Sequence, residues 1–143
     1  MNYNMYDEID YFTNLNNNNN MSMNNSLNNN LFSPYEGYVK GNLFKPLYDS
    51  YKGLKPRNIP VTNERDESLL NIGQLSFARH ELNLLLDNYP NNQEALKLFN
   101  KYRTMEENEV KNYERRFGPL NITSNDMTNI PFKWENDKWP WEV

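Results

Sequence analysis

The sequence contains no cysteine and a single histidine, His80, among its 143 residues. The absence of cysteine excludes disulfide bonds, thiol nucleophiles and thiolate-bound metals. The five glycines are not clustered, and neither a phosphate-binding loop nor a dinucleotide fingerprint is present. HExxH, EF-hand and GxSxG patterns are also missing. Because a lone histidine is more often a surface residue than a catalyst, we expect no enzyme, no cofactor and no metal site.

Basic excess and long apolar runs are also missing. The formal net charge is -4 and the isoelectric point is about 5.0. A protein that binds nucleic acid needs a footprint of Lys and Arg, so we expect no nucleic-acid partner. No window approaches the ~18 apolar residues that can span a bilayer, and the first residues lack a basic, apolar leader. We therefore expect a soluble chain that is made and kept inside a cell.

Aromatic rings are plentiful, whereas aliphatic side chains are few. The hydrophobic fraction of 37% and the mean hydropathy of -0.99 are low for a globular protein. Aromatic residues nevertheless make up 14% of the chain and include three tryptophans. This combination predicts a small core together with aromatic surface that contacts other proteins.

The first 30 residues are rich in asparagine, with 13 Asn in total and an unbroken run over residues 16–20. A polar tract of this kind cannot bury enough apolar area to offset the entropy lost on ordering, so we predict disorder over residues 1–30. Stacked amides could instead promote self-association, and this alternative stays open.

Residues 31–61 are predicted to form an extended arm, because four prolines and three glycines interrupt them. At most, Pro46 could begin a short helical turn through Tyr51. Aromatic and lysine side chains alternate along the arm. They could pack on the rest of the chain, become ordered on a partner protein, or, as the weakest reading, hold single-stranded nucleic acid.

A helix is predicted over residues 62–88, capped by Thr62 or Asn63 and followed by Pro90. Its main apolar face is predicted to comprise Ile72, Leu75, Ala78, Leu82, Leu85, Leu86 and Tyr89. A second apolar stripe is formed by Leu70, Phe77 and Leu84. Two stripes indicate that this helix contacts two different neighbours.

A second helix is predicted over residues 92–117, between a capping box of Asn91 with Glu94 and the terminator Gly118-Pro119. Its apolar face comprises Ala95, Leu98, Phe99, Tyr102, Val110, Tyr113 and Phe117. Glu106 and Glu109 interrupt this face, and we expect them to loosen the packing. The short link makes the two helices an antiparallel hairpin, so the predicted fold class is all-α.

Two helices alone bury too little to offset the entropy of ordering them. A third surface must therefore cover the hairpin, and it could come from the C-terminal tail, the arm, another copy or a different protein. The tail, residues 120–143, lacks helical periodicity and carries all three tryptophans next to proline. It could fold back on the hairpin or insert its rings into a partner.

Several motifs in the second half of the chain match a known pattern. They are Ser76–Ala78, Glu81–Asp87, Pro90–Leu96, Tyr113–Glu114, Phe117–Leu120 and the proline–tryptophan terminus. On these motifs the chain resembles the CotJB-type spore coat proteins from about residue 67 to residue 143. The arm motif Gly41–Tyr48 is similar to the upstream extension of some clostridial members.

The chain departs from the family pattern at three places. It has Pro131-Phe132-Lys133-Trp134 where the pattern is Pro-Trp-x-Trp, and Lys138-Trp139-Pro140-Trp141 where the pattern is Pro-Trp-Pro-Trp. Asn88-Tyr89-Pro90 takes the place of Thr-His-Pro. One tryptophan and one proline are therefore absent from the terminus, which keeps its aromatic character.

The resemblance implies a non-catalytic structural or assembly component of the bacterial spore coat, made in the mother-cell cytoplasm. It also implies two partners, a small CotJA-type peptide and a manganese catalase-like coat protein. The alternative is an accessory subunit that stabilises this manganese protein. We expect three segments: 1–30 disordered, 31–61 the arm, and 62–143 the CotJB-like hairpin with its tail. The predicted partner-binding residues are Phe77, Leu84, Phe132, Trp134, Trp139 and Trp141.

Overall fold

A computed structural model describes residues 26–128 and 130–132. The predicted disorder of residues 1–25 and the three tryptophans therefore lie outside the described residues. Four α-helices follow one another in the described chain, with a 3₁₀ turn after the second and another near the end. They are α1 Ser26–Asn30, α2 Pro34–Lys40, α3 Glu64–Asn88 and α4 Gln93–Phe117, with 3₁₀ turns at Lys45–Leu47 and Asn125–Thr128.

Helix α3 begins and ends where the sequence predicts. The Asn63 side chain accepts a hydrogen bond from the backbone N–H of Asp66, and acidic residues occupy the first turn. Both features offset the unsatisfied amides and the positive dipole at a helix N-terminus. The helix stops at Asn88, two residues before Pro90. Its 25 residues provide the long surface on which the other elements pack.

Helix α4 has the predicted C-terminus but a different N-cap. Asn92 caps it by accepting a hydrogen bond from the N–H of Ala95 at 3.0 Å, so the predicted capping box of Asn91 with Glu94 is wrong. The reason is the turn that precedes the helix: the N–H of Asn92 bonds to the carbonyl of Tyr89, which places Asn91 inside the turn. At the other end, Gly118 adopts a φ of 107°, which L side chains rarely adopt.

Helices α3 and α4 form the predicted antiparallel hairpin. The beginning of α3 contacts the end of α4, since Arg65 Nε donates to the Tyr113 hydroxyl at 2.8 Å. The middle of α3 contacts the middle of α4 through Arg79 and Glu106. The predicted core faces are confirmed in outline: the buried side chains of the two helices are Leu75, Ala78, Leu82, Leu85, Ala95 and Tyr113.

The third surface that covers the hairpin comes from the N-terminal arm. The main core cluster contains eight buried residues, and four of them precede residue 45. Helix α1 contributes Leu27 and the arm contributes Leu31, Leu43 and Phe44, which pack with Ala78, Leu82, Leu85 and Ala95. Of the four sources of cover that the sequence left open, the arm is therefore one that the structure uses.

The arm contains more helix than the sequence indicated. Residues 26–30, predicted as part of the disordered segment, form α1, and Leu27 is almost fully buried. Helix α2 was also missed. It begins with a capping box, in which the Ser33 side chain and the Glu36 carboxylate each bond the other's backbone N–H, and with Pro34 in its first turn. These features restrict the backbone to helical entry despite the nearby glycines.

The rest of the arm, residues 49–61, is exposed throughout and has no regular secondary structure. We call it the strap. It leads from the 3₁₀ turn Lys45–Leu47 to the N-cap of α3. No helix in the described part of the chain is both long enough and apolar enough to cross a membrane.

Candidate partner-binding surface

The second apolar stripe of α3 lies against the arm over part of its length. Phe77 is half-buried, and its ring meets that of Tyr38 edge-on with 6.0 Å between the centroids. One turn earlier, Gly73 leaves room for the same tyrosine: a Cβ there would lie 3.1 Å from the Tyr38 hydroxyl oxygen. The prediction that α3 touches two neighbours is thus confirmed, with α2 on one side and α4 on the other.

A hydrogen bond also ties the arm to α3. The backbone N–H of Leu43 donates to the Glu81 carboxylate at 3.3 Å, and the carbonyl of Leu43 accepts from the N–H of Phe32 at 2.9 Å. The Leu43 side chain is fully buried beneath this contact. Leu43 therefore holds the segments before and after α2 together and fixes them against the hairpin.

A cation–π cluster closes the outer side of the arm. The Lys40 ammonium lies 3.7 Å from the centroid of the Phe32 ring and 5.5 Å from that of Tyr48. The two rings meet edge-on at 5.7 Å. Lys45 Nζ donates to the Asn29 carbonyl at 3.1 Å, which fastens α1 to the 3₁₀ turn. A lysine between aromatic faces contributes roughly 0.5–1 kcal/mol at exposed sites, so this cluster helps to hold the arm in place.

The acidic residues of α4 meet the sequence-based expectation only in part. Glu106 is half-buried, and its carboxylate lies 2.5 Å from Arg79 Nε. No residue of α4 between Ala95 and Tyr113 is fully buried, as expected for looser packing in the middle of the helix, but the Glu106 charge pairs across the two helices. At the open end of the hairpin, Arg116 pairs with Glu64. Two ion pairs and the Arg65–Tyr113 hydrogen bond thus link the helices along one side.

Two carboxylates at helix starts have lowered pKa values. Hydrogen bonds from the backbone and hydroxyl of Ser33 lower the pKa of Glu36. The Thr62 hydroxyl lowers the pKa of Asp66, with further hydrogen bonds from the Thr62 backbone and the Asn63 side chain. Hydrogen bonds to the charged form of a carboxylate favour ionisation, which lowers both pKa values. The role of the two carboxylates is to begin α2 and α3.

Among the described residues, no group of three or more His, Asp or Glu side chains is arranged to hold a metal ion. His80 is exposed on α3. The titratable groups described above take part in caps and ion pairs between helices. The candidate binding features of the hairpin are its exposed apolar side chains.

The predicted partner-binding residues differ in exposure. Phe77 is half-buried between the core and Tyr38, whereas Leu84 is 47% exposed and Phe132 is 52% exposed. Trp134, Trp139 and Trp141 lie outside the described residues. Further apolar side chains that the prediction did not include are also exposed on α3, α4 and the segment after α4. They are Leu69, Leu96, Met105, Ile122 and Ile130.

Sequence reasoning missed the contacts that place the arm on α3. The pairing of Tyr38 with Gly73 and of Leu43 with Glu81 is a long-range event that local periodicity does not report. The signal for α2 was nevertheless present, because Ser33 and Glu36 have the spacing of a capping box and Pro34 stands at a favoured helix start.

A comparison with protein families gives a match to the CotJB protein family over residues 66–142. The match covers more than half of the chain and includes nearly all of α3, the whole of α4 and the tryptophan-bearing terminus. No curated protein and no solved structure matches the chain. The matched region contains the hairpin and the exposed residues Leu84 and Phe132 described above. The chain belongs to the CotJB family and is a component of the bacterial spore coat.

Proposed function

We propose that this protein is a non-catalytic assembly component of the spore coat, which works by binding other coat proteins through exposed apolar and aromatic side chains. The observation that carries the proposal is the exposed apolar surface left on a hairpin that already has its own cover. The arm fills one face of the hairpin, yet Leu84, Leu96 and Phe132 remain open to solvent. Apolar side chains that come together in one exposed patch favour contact with another protein.

The C-terminal tail provides the aromatic part of the proposed contact. It carries Trp134, Trp139 and Trp141 within twelve residues of Phe132, and Pro140 lies between the last two tryptophans. Proline restricts the backbone, so less entropy is lost when the neighbouring rings are buried. Tryptophan is also enriched at the residues that dominate binding energy in protein interfaces. The tail therefore suits the role of an anchor.

The proposed division of labour follows the chain. Residues 62–143 form the assembling unit, with the second stripe of α3 and the tail as its binding surface. Residues 26–48 stabilise this unit by covering it, and the asparagine-rich residues 1–25 add a polar extension. The proposed partners are other coat proteins, and by family resemblance a small CotJA-type peptide and a manganese catalase-like coat protein. We propose Phe77 as a support for Leu84, since Phe77 itself is covered by Tyr38.

The tail is tested by replacing Trp139 and Trp141 with alanine and measuring capture of the two proposed partners in a pull-down. We expect a loss of capture of at least about tenfold, because a buried tryptophan at an interface commonly contributes 2 kcal/mol or more. The control is Tyr51→Ala, which removes an exposed aromatic ring from the strap, outside the matched region. Equal capture by the wild type and the folded double variant would reject the tail as an anchor.

A second experiment distinguishes binding by the α3 surface from non-specific binding by exposed apolar side chains. Leu84 and Leu96 are each 47% exposed, but only Leu84 belongs to the second stripe of α3. Leu84→Ala is expected to weaken partner capture more than Leu96→Ala, although both remove the same side chain. The two variants should have similar free energies of unfolding, which makes them a matched pair. A stronger effect of Leu96→Ala would move the binding surface to α4.

A further inference from the structure

The strap, residues 49–61, carries several exposed apolar side chains. Tyr51 is 80% exposed and Leu54 is 61% exposed, and Ile59 and Val61 are also open to solvent. The charged residues among these side chains are almost all basic. Between Asp49 and Glu64 the only charged residues are Lys52, Lys55 and Arg57, so the strap is apolar and basic.

The strap is held at both ends and at Asn58 and Ile59. Tyr48, just before it, lies against Phe32 and Lys40, and Asn63, just after it, caps α3. Between these points the Tyr35 hydroxyl accepts a hydrogen bond from the N–H of Ile59 at 3.3 Å and donates to the Asn58 side chain at 3.4 Å. A strap fixed at three points presents its side chains in a limited set of positions, which reduces the entropy lost on binding.

The complementary chemistry is present in the same chain. Residues 6–12, Tyr-Asp-Glu-Ile-Asp-Tyr-Phe, contain three acidic and four apolar or aromatic side chains, and we call them the acidic segment. The first basic residue of the whole sequence is Lys40. The acidic segment thus carries only negative side-chain charges, whereas the strap carries only positive ones after Asp49. Opposite potentials and matched apolar side chains favour association.

The chain length and the position of α1 allow this contact within one molecule. Lys45 Nζ bonds the carbonyl of Asn29 in α1, so α1 lies within one lysine side chain of the turn that leads into the strap. Residues 13–25 join the acidic segment to α1 and span at most about 45 Å, whereas the chain from Lys45 to Leu54 spans at most about 32 Å. A short tether gives an effective concentration on the order of millimolar, so even a weak contact forms within one chain.

We propose that the acidic segment of this protein binds the strap of the same molecule, with Asp7, Glu8 and Asp10 facing Lys52, Lys55 and Arg57 and the aromatic rings covering Tyr51 and Leu54. The strap is then an intramolecular docking surface. It is separate from the tail and the Leu84 surface that bind other coat proteins. The contact goes beyond the proposed assembly function and does not depend on it.

The test uses the full-length protein and the backbone amide NMR signals of strap residues. In D7N/E8Q/D10N these signals are expected to shift, and the wild-type signals are expected to move toward the same positions as salt is raised, because salt screens exposed charges. The signals of α3 and α4, measured in the same spectra, report whether the fold is retained. Identical strap signals in the wild type and the variant would overturn the proposal.

A charge-matched control distinguishes the acidic segment from the other acidic terminus. E135Q/D137N/E142Q changes the net charge by the same amount and is expected to leave the strap signals unchanged. Strap shifts in this control instead of in D7N/E8Q/D10N would assign the strap to the tail and reject the acidic segment.

Dilution and charge exchange complete the test. Strap shifts that are independent of protein concentration are expected for a contact within one chain, and shifts that vanish on dilution would identify a second copy as the occupant and reject the proposal. Reversing the strap charges with K52E/K55E/R57E is expected to abolish the contact, and adding D7K/E8K/D10K is expected to restore it. Failure of this rescue counts against the proposed pairing, and neither result affects partner capture by the tail.

Discussion

Replacing Leu43 with alanine should release the arm from the hairpin. The Leu43 side chain is fully buried in the core cluster, and its Cδ1 lies 3.2 Å from the position that a Cβ on Gly37 would occupy. Removing a buried leucine side chain costs its transfer free energy, roughly 2 kcal/mol, and a further penalty for the cavity. The total loss for such substitutions is about 2–5 kcal/mol. Since small domains have a free energy of unfolding of about 5–15 kcal/mol, this is a large fraction of the whole.

Urea denaturation monitored by circular dichroism measures this loss, and Leu54→Ala is the matched control. Both leucines lie in the segment between α2 and α3, but Leu54 is 61% exposed in the strap. We expect Leu54→Ala to lower the free energy of unfolding far less than Leu43→Ala, because Leu54 is not part of the core cluster. A loss of 3 kcal/mol in Leu43→Ala would lower Tm by roughly 12–24 °C in a domain of this size. Equal stabilities of the two variants would refute the idea that the arm completes the core.

Three further substitutions test the contacts of α3. Gly73→Leu should displace the Tyr38 phenol and lower the free energy of unfolding by about 1–3 kcal/mol. Gly73→Ala should be milder, because alanine gains about 1 kcal/mol in helix propensity. A Gly73→Leu variant as stable as the wild type would contradict the contact. Because the pKa of Asp66 is lowered, its stabilising contribution is present above its ordinary pKa of 3.8 and is lost as pH falls through the folded-state pKa. Asp66→Asn should therefore weaken the dependence of the free energy of unfolding on pH in the acid range. A double-mutant cycle on Arg79 and Glu106, measured by urea denaturation, should give a coupling free energy of about 1 kcal/mol. A coupling near zero would show that the ion pair does not stabilise the fold.

The hairpin could be predicted from the sequence because its signals are local. The apolar positions Leu75, Ala78, Leu82 and Leu85 recur at helical spacing, and Gly118 ends α4 as its position indicates. Each of these features depends on residues within a turn or two of one another. The error at the N-cap of α4 has the same origin, since two adjacent asparagines offer equivalent caps and only the closed turn between the helices selects the second.

The packing of the arm could not be predicted in the same way. Whether Leu43 is buried depends on Glu81 and Ala78, more than thirty residues away, and nothing in the local pattern fixes that distance. The candidate site shares this limit. Leu84 and Phe77 have the same place in the helical stripe, yet Tyr38 covers one and leaves the other open. Exposure is a property of the assembled chain, so the sequence could propose both residues but could not rank them.

The order in which the core is filled has a consequence for biosynthesis. Leu27, Leu31, Leu43 and Phe44 leave the ribosome before the helices that bury them, because Ala78, Leu82, Leu85 and Ala95 are translated later. At roughly 5–20 residues per second, the apolar arm waits several seconds for its binding surface to emerge. The nascent chain therefore carries four unburied apolar side chains for much of translation, and their burial follows the synthesis of α3 and the start of α4.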